Sequence, residues 1–77
     1  MNIYDELTKV CSVLSENANI LSSDIVQVDA NSLTSTIRIY LTETPSEDLS
    51  KAIVHELMLY NPNYHYQTVG NSIAILL

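Results

Sequence analysis

The chain predicts an α+β domain of order helix–hairpin–helix–hairpin (αββαββ). The expected sheet is four-stranded and mostly antiparallel, with two helices packed on one face. Three observations carry this. Apolar residues recur at helical spacing in two separate stretches. Each stretch is followed by residues that alternate with period two. Turn-forming residues sit where each pattern changes.

The first helix starts at Asn2, a good N-cap, with Asp5 and Glu6 in the turn where the helix dipole favours anions. Ile3, Leu7, Val10, Cys11, Leu14, Ala18 and Leu21 form its apolar stripe, and Thr8, Lys9, Ser12, Ser15 and Glu16 its polar side. Its end falls between Glu16 and Leu21, because Asn17 and Asn19 weaken the last turn. A short strand follows over residues 25–28, with its turn at Asp29-Ala30-Asn31-Ser32. A longer strand over 34–41 is rich in β-branched residues. On it Ile37, Ile39 and Leu41 share one side and Thr36, Arg38 and Tyr40 the other, as in a sheet covered on one side.

Thr44-Pro45-Ser46-Glu47 reads as a capping box with proline at the first helical position. Leu49, Ala52, Ile53, Leu57 and Tyr60 then form the second buried stripe, and Asn61-Pro62 ends it. Residues 64–69 and 73–77 alternate again around Gly70-Asn71, which fits a two-residue hairpin turn.

Seventy-seven residues suit one domain, 1–77. A domain of that size buries only about 60% of its unfolded surface, and small domains often add staples. Cys11 is the only cysteine, so neither an internal disulfide nor a cysteine metal cage is expected. The start, MNIYDELTK, lacks the basic and apolar regions of a signal peptide. No apolar run approaches the roughly 18 residues of a membrane span. The expected location is cytoplasmic, or the host-cell cytoplasm for a phage-encoded chain.

Charge excludes most. Lys9, Arg38 and Lys51 stand against nine acidic residues, for a net charge of −6. Nucleic-acid binders commonly neutralise about six to ten phosphates with Lys and Arg. Three scattered cations cannot do that, so no direct nucleic-acid binding is expected, and no anionic membrane surface. Neutral or basic protein partners fit better.

Catalytic and metal signatures are missing. His55-Glu56 lacks the second histidine of H-E-x-x-H, and His65 lies far along the chain. Cys11 sits on an apolar stripe with nothing nearby to lower its pKa. One glycine excludes the usual phosphate loops, and no serine has G-x-S-x-G surroundings. The pairs Asp5-Glu6 and Glu47-Asp48 are explained by helix dipoles. No enzyme, no cofactor and no metal site is expected.

The five tyrosines supply all the aromatic surface. Tyr40 should point away from the helices, beside Arg38. Tyr64 and Tyr66 point together, either with Tyr40 in an exposed aromatic patch or inward, completing a core without Phe or Trp. Aromatic and Arg side chains commonly anchor protein interfaces. The expected partner-binding residues are therefore Asp5, Glu6, Arg38, Tyr40, Glu47, Asp48, Tyr64 and Tyr66. The expected role is a small acidic protein-binding module that inhibits a larger machine, with machines that process nucleic acid among the candidates. Anti-defence proteins of phages and mobile elements, such as anti-CRISPRs, offer an analogy of size and charge, with no motif behind it. The alternative is a self-associating structural or regulatory subunit, with a homodimer as its simplest form.

Overall fold

The structure, a computed structural model, describes residues 2–17 and 24–77. Its elements run α1 (Ile3–Glu16), β1 (Ile25–Asn31), β2 (Thr36–Leu41), α2 (Glu47–Tyr60), β3 (His65–Val69) and β4 (Ser72–Leu76). The class is α+β, with two helices and one four-stranded sheet.

The sheet order is β1-β2-β4-β3, and every neighbouring pair is antiparallel. The second hairpin thus adds its last strand to the middle of the sheet and leaves β1 and β3 as the edges. Register sorts the side chains into two sets. Ile37 pairs with Ala30 and Ile75, and Ile39 with Val28 and Ile73. These point to the inner side, where they join Ile3, Val10 and Leu14 of α1 and Ile53 and Leu57 of α2 in one hydrophobic cluster. Arg38 pairs with Asp29 and Ala74, which belong to the outer side.

Local chemistry explains most boundaries. Asn2 Oδ1 accepts from Tyr4 N at 2.9 Å, as expected of the N-cap. The cap of α2 is Ser46 instead of Thr44: its Oγ accepts from Leu49 N at 3.1 Å, and the helix begins at Glu47. Pro45 therefore precedes the cap. From this start Ile53 is fully buried in the core and Leu49 packs against it. Asn61 ends α2, its amide bonded to Leu57 O at 2.8 Å.

The first hairpin is displaced from its expected register. Asp29, Ala30 and Asn31 belong to β1, and the turn occupies residues 32–35. Asn31 Oδ1 accepts from the amides of Leu33 and Thr34, and Ser35 takes φ 51°, the left-handed region. Thr34 and Ser35 consequently leave β2. In the second hairpin Val69 pairs with Ser72 across Gly70 (φ +57°) and Asn71, the two-residue turn expected there.

The α1 stripe is rotated from its expected position. Ile3, Val10 and Leu14 are buried and Leu7 and Val13 pack against them, whereas Cys11 is exposed. A helix buries an arc about 100° wide, and an arc centred on 3, 7, 10 and 14 carries 11 past its margin. Ala18 and Leu21 lie outside the described residues. Among the described residues no helix is long and apolar enough to cross a membrane.

Candidate interaction surfaces

The structure divides the three candidate tyrosines. Tyr40 stands half-buried on the outer side, next to Arg38 in β2. Tyr66 pairs with Ile75, so its ring goes to the inner side. Tyr64, two residues earlier, is only 7% exposed. The inward alternative is therefore the one the fold adopts, and the three-ring outer patch does not form. The reason is volume: a core of Ile, Leu and Val without Phe or Trp takes its rings from β3 and the segment before it.

Those inward rings form a chain. Tyr64 lies 6.0 Å from Tyr60, tilted, and 6.4 Å from Tyr66, edge to face. The Tyr64 hydroxyl donates to Glu6 Oε2, tying the start of β3 to the first turn of α1. Burial, and then the Glu6 carboxylate, hold the Tyr64 phenol well above its ordinary pKa. Burial raises that of Tyr66 as well, and among the described residues the Tyr66 hydroxyl is buried without a hydrogen-bond partner.

The acidic pairs do not converge. Glu6 is committed to Tyr64, and its side chain is only 13% exposed, beside Lys9 Nζ at 4.0 Å. Asp5 is exposed. Glu47 and Asp48 are exposed as well, with Glu47 held by Lys51 at 3.0 Å. Glu6 sits near the end of the sheet where Thr36 pairs with Leu76. Asp48 shares a shallow depression with Asp24, Leu41 and Glu43 at the other end of β2.

Charge is segregated. The helices carry Asp5, Glu6, Glu16, Glu47, Asp48 and Glu56 against Lys9 and Lys51, so six acids and two bases give −4. Asp24 and Glu43, flanking the first hairpin, add −2. The four strands carry only Asp29 and Arg38, which sum to zero. Arg38 Nη1 donates to Ser72 Oγ at 3.3 Å, while Asp29 accepts from Gln27 at 2.7 Å. Among the described residues, Arg38 is the one cation with no carboxylate at ion-pair distance.

One surface escaped the sequence reading. Met58, Leu59 and Tyr60 are all exposed, at 45%, 68% and 39%. Tyr60 was expected in the buried stripe, but it lies at the helix end, on the rim of the core. Leu59 and Tyr60 border a depression with Val13, Glu16 and Glu56, which couples apolar side chains with two carboxylates. A signal was present. Leu57-Met58-Leu59-Tyr60 is four apolar residues in a row, and successive helical positions turn by 100°, so they cannot all face one core.

His55, His65 and Cys11 are exposed and dispersed. No group of three His, Cys, Asp or Glu side chains placed to hold a metal ion occurs among the described residues. Comparison with protein-family models, curated proteins and solved structures finds no match to this chain.

Proposed function

We propose that the chain is a non-catalytic protein-binding module whose helical side occupies a basic surface of a larger protein. Inhibition of a nucleic-acid-processing machine in the cytoplasm is the use this reading favours. The observation behind it is the charge segregation: net −4 on the helices and zero on the strands. A one-sided acidic field steers a molecule toward a basic groove and presents the same side to it. Asp5, Glu16, Glu47, Asp48 and Glu56 supply the field. Leu59 and Tyr60 supply apolar anchoring in place of Tyr64 and Tyr66, which the core consumes. Arg38 and Tyr40 stay on the other side, outside this contact.

The test begins with affinity capture of the partner from the native host lysate. Association is then measured against the captured protein at two salt concentrations. Glu16→Gln with Glu56→Gln should slow association and flatten its salt dependence. Leu59→Ala should mainly speed dissociation, by about 1–2 kcal/mol if Leu59 is an anchor. Binding by folded variants at the parental rate and affinity would place the contact elsewhere.

A further inference from the structure

We infer that the exposed edge of β3 pairs antiparallel with β3 of a second copy of this chain, joining two four-stranded sheets into one of eight strands. This stands apart from the acidic helical side and uses none of its residues.

The two edges of the sheet differ in how they are guarded. Natural edge strands are protected by charge, proline or bulges against pairing with another chain. β1 has such protection: its register slips between Ile25 and Gln27, and Asp29 lies within it. β3 has none. His65-Tyr66-Gln67-Thr68-Val69 contains no Asp, Glu, Lys, Arg, Pro or Gly, pairs with β4 without interruption, and is exposed at four of its five residues.

Register shows which backbone groups are available. The two-residue turn makes Val69–Ser72 a hydrogen-bonded pair, so Gln67–Ala74 and His65–Leu76 are bonded pairs too. Just beyond the two ends of β4, Leu41 N donates to Asn71 O and Leu77 N to Ser35 O, so the residues alternating with Ser72, Ala74 and Leu76 bond toward β2, in keeping with this phase. The N–H and C=O of Tyr66 and Thr68 therefore point out of the sheet.

A two-fold axis at Gln67 satisfies them. It sets Tyr66 opposite Thr68 of the second copy twice over, giving about four main-chain hydrogen bonds. An aromatic opposite a β-branched residue is a favourable cross-strand pair. His65 meets Val69, and Gln67 meets Gln67, so no like charges are opposed. A second copy meets both requirements: the register is self-complementary about Gln67, and on a chain of net charge −6, β3 is an edge along which two molecules can meet without opposing carboxylates. The contact is small, so a dissociation constant of about 10–100 μM is expected.

Sedimentation equilibrium of the full chain at about 200 μM should show a dimer, a concentration that populates one at such a constant. Raising salt from about 50 to 200 mM should strengthen it, because screening weakens repulsion between two acidic molecules. The basic-partner contact should weaken over the same range, so the two readings fail separately. Gln67→Lys places two cations face to face at the axis and should weaken self-association by about two- to fivefold, with circular dichroism confirming the fold. Gln67→Cys in a Cys11→Ser background should form an intermolecular disulfide under mild oxidation. A monomer at that concentration would overturn the proposal. So would a dimer that Gln67→Lys leaves intact and Gln67→Cys does not cross-link.

Discussion

The first hairpin turns through residues 32–35 with a serine in the left-handed region, and the register of its edge strand slips between Ile25 and Gln27. The second turns through Gly70 and Asn71 and pairs without a slip. Both follow a helix of fourteen residues. Yet the first half presents a guarded, irregular edge and the second a regular, uncharged one. A repeated outline thus places equivalent strands without making them equivalent surfaces. Turn chemistry decides register, and register decides which side chains and which backbone groups face out.

The largest expected effects come from the core that the halves share. Val10 in α1 and Leu57 in α2 are both fully buried in one cluster. Leu57→Ala should cost about 2–5 kcal/mol, and Val10→Ala less because fewer atoms are removed. For a domain this small, 1 kcal/mol shifts the melting temperature by about 4–8 °C, so Leu57→Ala should abolish or nearly abolish a folded baseline at 37 °C. Equal, sub-kcal costs at both sites would show that the halves are not joined through this core.

The next test cuts the polar tie between the halves. Tyr64→Phe removes the hydroxyl that donates to Glu6 and should cost about 1.5–3 kcal/mol at neutral pH, since the acceptor is charged. The phenol also sets an alkaline limit. Its folded pKa is raised, so the protonated form is favoured in the folded state. That contribution is complete below the unfolded value of about 10 and is lost as pH rises through the folded value. Urea midpoints of the parent should therefore fall more steeply above about pH 10 than those of Tyr64→Phe. Tyr66, shifted in the same direction, leaves the variant a residual slope. Parallel profiles would remove Tyr64 as the source.

The caps give a smaller effect. Ser46→Ala removes the acceptor for Leu49 N and should cost about 0.5–2 kcal/mol. Thr44→Ala, outside the helix and exposed, should stay within about 0.5 kcal/mol. A denaturant midpoint that moved with Thr44 and not with Ser46 would restore the earlier helix start.

These sites also show what was legible in the chain. The αββαββ order followed from changes of hydrophobic period, and Gly70-Asn71 from turn chemistry that allows few alternatives. The first turn was misplaced because Asp29, Asn31 and Ser32 are all turn formers; which of them turns depends on Asn31 reaching the Leu33 and Thr34 amides. The α2 cap was read at Thr44, whereas Ser46 two residues on is the residue whose Oγ accepts from Leu49 N. The inward course of Tyr64 and Tyr66 required the pairing of β3 with β4, a tertiary fact that alternation leaves two-valued. Leu59 was readable from its apolar run, but its neighbours Val13 and Glu16 belong to another helix.

The turns themselves carry the smallest and sharpest comparison. Gly70 has φ +57°, and a Cβ built there meets nothing within 4 Å. Gly70→Ala therefore introduces no clash, and its cost is the left-handed backbone penalty of about 1–2 kcal/mol, partly offset by the lower unfolded-state entropy of alanine. A net loss of about 1 kcal/mol is expected. Ser35 already bears that penalty at φ 51°. Ser35→Gly relieves it but gives the unfolded chain about the same amount of added freedom, so the net change should lie within about 0.5 kcal/mol. Matched chemical denaturation of the two variants checks the pair. Similar losses in both would mean that Ser35 contributes through its hydroxyl as well as its backbone. A neutral Gly70→Ala would mean that the second hairpin relaxes into another turn, which would also loosen the register that leaves Tyr66 and Thr68 facing out of the sheet.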